Sequence, residues 1–163
     1  MQKRRGYGAL ALGAAVAALA IVPVAVGDGH QDLLRSGVAG STPLSPPFPA
    51  PGGVTLFGVD PGGAPWVANR HSSIRVKRNG DTRIKVVRLV IPGSNPPNPV
   101  KTGLVASLVC NGMVVDGATI GPVPFSPEGN AMFRGKFMVP KPCLAPAILL
   151  RLSAVGRYIG ASG

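Results

Sequence analysis

The stretch IRVKRNGDTRIKVVRLVIPG, residues 74–93, alternates apolar and cationic side chains on both sides of an Asn-Gly pair. Asn-Gly is typical of a two-residue hairpin turn, but that register would mix apolar and cationic side chains on one face. A three-residue loop over residues 78–80, with Gly80 left-handed, instead pairs Ile74 with Ile84 and separates the two kinds of side chain. We therefore predict a β-hairpin with the longer loop, one apolar face and one cationic face.

The cationic face of this hairpin has two interpretations. Charged side chains on exposed strands keep a sheet soluble and discourage its pairing with other chains. The same charges would also suit a polyanion, whose binding releases counterions. Residues 74–93 contain no aromatic side chain on which bases could stack, which disfavours sequence-specific binding of nucleic acid. The candidate anion-binding residues are Arg75, Lys77, Arg83, Lys85 and Arg88.

From residue 66 onward, short runs of Val, Ile, Leu and Phe are separated by Gly, Pro and Asn. No window after the N-terminal segment has the period of an amphipathic helix. We predict an all-β fold, an antiparallel β-sandwich of immunoglobulin-like size with about seven strands, and a barrel is the alternative. The predicted strands cover residues 66–77, 82–91, 103–110, 113–116, 131–139, 145–152 and 157–161.

Two further stretches indicate which side chains form the core. In NAMFRGKFMVP the alternation places Phe133 and Phe137 on the inward face and Arg134 on the outward face. In GLVASLVC, residues 103–110, both faces are apolar, which is typical of a central strand covered on both sides. The core of the domain should therefore lie between two sheets.

The N-terminus has the three parts of an export signal. Three cations at residues 3–5 precede an uncharged run, and Pro23 ends that run shortly before small residues. We place cleavage after Gly27, so that residues 1–27 form a signal peptide, the mature protein is secreted, and no stable membrane span remains. The alternative is an uncleaved anchor, because the stretch from Ala9 to Val26 reaches about 18 residues, the lower limit for spanning a bilayer.

Two segments follow the signal peptide. Residues 28–65 are rich in Gly and Pro, and they include five prolines between residues 43 and 51. Proline prevents helix formation and removes backbone donors, so we predict a disordered leader here, with a short strand at most over residues 54–59. Residues 66–163 are assigned to the β-sandwich domain.

Export determines how the two cysteines are interpreted. In an oxidising exterior, an even pair within one small domain is most simply a disulfide, here between Cys110 and Cys143. A metal site is the weaker alternative, because the spacing is not CxxC and His30 and His71 lie in unrelated contexts. We predict neither a metal nor a cofactor.

The sequence contains no catalytic signature. Glu128 is the only Glu, the Asp residues give no acid-base pair, and no nucleophile motif surrounds His71. We therefore predict that the protein is not an enzyme.

Four stretches carry a resemblance: SLVCNG from Ser107, VPFSPEGNA from Val123, VPKPCLAPAILLR from Val139 and GRYIGASG from Gly156. In them, and above all in the two cysteine motifs, the chain resembles a group of uncharacterised small two-cysteine β-domain proteins secreted by bacteria of the actinomycete type. The resemblance covers about the last 100 residues of the chain. It implies a secreted β domain and carries over no functional residue.

The charge of the chain leaves two functions open. The net charge of +11 falls to +8 without the three cations of the signal peptide. Such a basic chain attracts anionic partners, although the charge also serves solubility. The first hypothesis is a secreted, non-catalytic structural or envelope-associated protein. The alternative is a basic module that recognises a wall polymer or another extracellular polyanion. The sequence does not identify the partner, and an anionic polymer of the cell envelope is the candidate.

Overall fold

The described part of the chain contains nine strands, which form two antiparallel sheets. The structure is a computed structural model, and it describes residues 32–41 and 55–162. The predicted β-sandwich is confirmed. The strands are β1 (Asp32–Ser36), β2 (Val38–Gly40), β3 (Ser73–Lys77), β4 (Asp81–Val86), β5 (Leu104–Cys110), β6 (Met113–Val123), β7 (Ala131–Lys136), β8 (Ala147–Arg151) and β9 (Tyr158–Ser162).

The core lies between the two sheets. The four-stranded sheet has the order β1-β3-β4-β7, and the five-stranded sheet has the order β2-β9-β8-β5-β6. Ile84 and Phe133 of the first sheet join Leu108 and Leu150 of the second in one buried apolar cluster. Burial of each such side chain contributes about 1.5–3 kcal/mol, which makes this cluster the main source of stability.

The β3–β4 hairpin has the register predicted from its alternation. Ile74 pairs with Ile84, and Val76 pairs with Thr82. Gly80 has a φ of 90°, and its amide donates to the carbonyl of Lys77 across the three-residue loop. The hairpin therefore buries its apolar face and leaves its cationic face outward.

The central position of β5 is also confirmed. It lies between β8 and β6, and all seven of its residues are buried. Leu104 and Leu108 belong to the core between the sheets, whereas Val109 is buried on the opposite face. A strand covered on both faces needs apolar residues at successive positions, which explains the blurred alternation of its sequence.

The assignment of residues 28–65 to a disordered leader is wrong where β1 and β2 lie. β1 pairs with β3 and β2 pairs with β9, so the two strands contribute one edge to each sheet. Leu34 and Val38 pack against the core, and Gly37 separates the two strands. Further along, the amide of Gly62 donates to the carbonyl of Tyr158. The β-sandwich domain therefore begins well before residue 66.

Several strands are shorter or longer than predicted; for example, β3 begins only at Ser73 and β7 ends at Lys136. β4 ends at Val86, sooner than predicted, because Arg88 has a φ of 49° and leaves the extended conformation. β6 continues to Val123, well beyond its predicted end. Gly117, with a φ of 70°, allows this by accommodating a register shift opposite β5.

Other predictions concern residues outside the described ones. The signal peptide of residues 1–27 and the prolines of residues 43–51 lie there. In the described segments, no helix is long and apolar enough to cross a membrane.

Candidate functional site

The outward side of the four-stranded sheet is cationic. Along β3 and β4 the side chains alternate, so that Ile74 and Ile84 are buried and Arg75 and Arg83 are exposed. β7 has the same alternation around buried Phe133. We define the cationic face by its outward cations: Arg35, Arg75, Lys77, Arg83, Lys85, Arg134 and Lys136.

Four arginines form one row across this face. In the strand register, Arg75 lies opposite Arg35 on one side and opposite Arg83 on the other. Arg83 in turn lies opposite Arg134. Because neighbouring strands are about 4.8 Å apart, the row extends about 14 Å across the sheet. These four residues are called the arginine row below.

Lysines flank the arginine row on both sides. Lys77 and Lys136 lie two residues along their strands from the row, toward the β3–β4 turn, and Lys136 pairs with Asp81. Lys85 lies on the opposite side of the row and pairs with Met132. The cationic charge therefore extends over three successive rows of the sheet.

Two carboxylates lie among these cations. Arg75 Nε donates to Asp32 Oδ1 at 2.8 Å, at the edge formed by β1. The side chain of Asp81 accepts a hydrogen bond from the Asn79 amide. Seven cations thus face two carboxylates, and the face keeps a large positive charge.

The arginine row places like charges opposite each other on neighbouring strands. Like charges directly opposite each other on neighbouring strands are destabilising. Arg83 has an arginine on both sides, so its strand position is less favourable than one with an apolar or acidic neighbour. An external anion would remove this repulsion, because it would neutralise several guanidinium groups at once.

The structure brings together four of the five predicted anion-binding residues. Arg75, Lys77, Arg83 and Lys85 all belong to the cationic face. Arg88 does not, because it lies beyond the end of β4, where its amide donates to Asn130 Oδ1.

Three further cations of the face were not predicted as part of the site. The alternation of β7 places Arg134 and Lys136 outward, but their position beside β4 depends on strand pairing. Arg35 was missed because its segment was assigned to the leader, although LLR precedes Ser36 in a short apolar run that could have indicated a strand.

An apolar groove adjoins the cationic face. It begins at the Lys85–Met132 pair and continues past the end of β4 and the start of β7. Val87 and Phe125 form part of its apolar wall, and its volume is about 650 Å³. Behind the groove, the ring of Trp66 packs against Phe125 with 6.3 Å between the ring centroids. This groove is called the Phe125 groove below.

Three described groups, Glu128, Tyr158 and Arg151, have pKa values shifted by their surroundings. A hydrogen bond from the Ser126 side chain lowers the pKa of Glu128, whereas burial raises the pKa of Tyr158 and lowers that of Arg151. Within the described residues, no cluster of three His, Cys, Asp or Glu side chains is arranged to hold a metal ion.

The predicted disulfide between Cys110 and Cys143 is present, with 4.9 Å between the Cα atoms. Asn111, next to Cys110, bonds to the same loop: its side-chain amide donates to the carbonyl of Pro142, and its Oδ1 accepts from the amide of Leu144. The bridge joins residues 33 positions apart and indicates folding in an oxidising environment.

Comparison of the chain with protein families, with curated proteins and with solved structures gives no match. The geometry of the cationic face and the Phe125 groove is therefore the basis for the function proposed below.

Proposed function

We propose that the protein is a secreted, non-catalytic module of the cell envelope that binds an anionic polymer on its cationic face. The observation that supports this most strongly is the arginine row, in which four guanidinium groups from four strands share one register. The disulfide and the export pattern of residues 1–27 support an extracytoplasmic location.

The residue type favours phosphate or carboxylate groups as the ligand. Arginine presents a planar fork of donors that fits both groups in bidentate geometry, and it stays charged at any physiological pH. A linear polymer that lay along the row would contact all four side chains, because the row crosses four neighbouring strands in one register. Affinity would then come largely from the release of counterions.

A polymer of the envelope fits this face better than a nucleic acid does. The outward positions of β3, β4 and β7 that are not cationic are occupied by Ser73, Asp81 and Met132. These three strands therefore present no outward aromatic ring for base stacking. Recognition through backbone charge alone suits a polymer without bases.

The test compares two variants that lose the same charge. The first changes the arginine row, Arg35, Arg75, Arg83 and Arg134, to Gln. The control changes four exposed cations outside the face, Arg70, Lys101, Lys141 and Arg157, to Gln. Affinity for poly(glycerol phosphate) is measured by calorimetry, with single- and double-stranded DNA as competitors.

We expect the row variant to lose about tenfold or more in affinity, and the control to lose much less, because direct contacts outweigh net charge at this range. Equal losses in both variants would show that the polymer responds to net charge alone and would contradict the proposal. If DNA binds more tightly than poly(glycerol phosphate), the proposal is also contradicted, because nucleic acid is then the partner.

A further inference from the structure

We infer that the polymer is bound in an acylated form, with its phosphate groups on the cationic face and its acyl chain in the Phe125 groove. This inference deepens the proposed function and depends on it. Its starting point is the position of the groove, whose lining includes Lys85 and Met132 from the outward side of the four-stranded sheet.

Lys85 and Met132 connect the two parts of the site. They pair with each other across β4 and β7, two residues along each strand from the Arg83–Arg134 pair. Both also line the groove. A molecule that places an anion at Lys85 therefore directs its next atoms either along the arginine row or into the groove.

The chemistry of the groove suits an alkyl chain. Beyond Lys85 its wall is formed mainly by Val87, Pro124, Phe125 and Met132, while Ser126 and Asn130 are its polar members. Met132 is 40% exposed, and its flexible thioether side chain adapts readily to an alkyl chain, which has no fixed shape.

Charge complementarity selects an anionic amphiphile as the occupant. A neutral lipid would leave Lys85 and the neighbouring arginines without a counter-charge, and a polymer without an acyl chain would leave the apolar wall in water. An acylated anion satisfies both surfaces at once, since burial of each methylene of its chain is favourable.

The first experiment tests the groove with small probes. Dodecyl phosphate, inorganic phosphate and dodecyl maltoside are titrated below their micellar concentrations, and binding is followed by the emission of Trp66. This is the only tryptophan of the chain, and it packs on the groove residue Phe125. We expect dodecyl phosphate to bind about tenfold or more tightly than either other probe, since only it has both a chain and an anion.

Two matched methionine variants test whether the alkyl chain of dodecyl phosphate binds in the groove. Met132→Gln should abolish most of the advantage of dodecyl phosphate over inorganic phosphate. Met138→Gln is the control, because Met138 is 76% exposed and does not line the groove, and it should keep the full advantage. Equal effects of the two substitutions would overturn the assignment of the groove.

The second experiment compares poly(glycerol phosphate) with and without its acyl anchor. We expect the acylated polymer to bind more tightly, and Met132→Gln to reduce this difference. If both polymers bind equally well but lose affinity in the arginine-row variant, the proposed function holds and this inference fails. If neither polymer responds to the arginine-row variant, the proposed function itself fails.

Another occupant of the groove would give a different result. A dimer in solution that dissociates with Met132→Gln, together with no response to dodecyl phosphate, would show that a second copy of the chain covers the groove. That outcome would overturn the inference.

Discussion

Arg83 of β4 lies directly opposite Arg75 of β3, and both side chains point away from the core. The hairpin register that buries Ile74 against Ile84 places these two arginines together. Pairing with β1 and β7 then extends the pair to four residues. A requirement of the core thus aligns the charges, because the register that buries the apolar side chains also places the four arginines in one row.

The first prediction concerns the stability cost of the row. Arg83→Gln should raise the free energy of unfolding by about 0.5 kcal/mol at low salt, because it removes repulsion from both neighbouring arginines. The gain should vanish in 1 M salt, where the screening length falls to about 3 Å. Urea denaturation at both salt concentrations measures it, with Arg70→Gln as the control. A loss of stability with Arg83→Gln at low salt would show that the row is not under repulsion.

Removing a carboxylate from the edge of the row should strengthen binding. Asp32 accepts a hydrogen bond from Arg75 Nε, so it competes with an external anion for that guanidinium. Asp32→Asn should raise the affinity for poly(glycerol phosphate) about two- to fivefold, and it should change stability little, since exposed ion pairs contribute only about 0–1 kcal/mol. Calorimetric titration checks the affinity. An unchanged or weaker affinity would exclude Arg75 from the polymer contact.

The hairpin loop should tolerate no side chain at Gly80. An added Cβ would clash with the carbonyl oxygen of Phe137, in addition to the strain of a φ of 90°. Gly80→Ala should cost about 3 kcal/mol or more, whereas conformational strain alone costs about 1 kcal/mol. Gly112→Ala is the matched control, because Gly112 also has a positive φ but has open space around its Cβ position. Equal losses in thermal denaturation would contradict the close approach to Phe137.

The disulfide should be a major contribution to stability. It closes a loop with a sequence separation of 33. Replacing Cys110 and Cys143 together by Ala should lower the free energy of unfolding by about 3–4 kcal/mol on the chain-entropy model. Denaturation of the native protein with and without reductant gives an independent measure. Identical curves under the two conditions would show that the bridge does not form in the folded protein.

Local patterns predicted those parts of the fold that depend on neighbouring residues. The Asn-Gly pair occurs twice, once in a three-residue loop and once in a two-residue turn. At Gly80 the pair ends a three-residue loop, as the burial of both strands requires. At Asn111 and Gly112 both φ angles are positive, and Cys110 pairs with Met113 across a two-residue turn.

The rest of the site depends on contacts between distant segments. Arg35 and Arg134 join the row through the pairing of β1 with β3 and of β4 with β7, which no single stretch of sequence specifies. The prediction of a disordered leader misses β1, because the prolines and glycines of residues 28–65 outweigh the short apolar run at Leu33 and Leu34. The Phe125 groove likewise forms only when the segment before β7 meets the end of β4.

The salt dependence of polymer binding tests the central claim most directly. The association constant for poly(glycerol phosphate) is measured over a series of salt concentrations for the native protein, for the variant with the four row arginines changed to Gln, and for the charge-matched control. Each phosphate contact adds about one unit to the slope of log K against log salt, so the row variant should have a slope smaller by about three to four. The control should keep the native slope. Equal slopes for the native protein and the row variant would contradict the account, because they would show that the arginine row releases no counterions and does not touch the polymer.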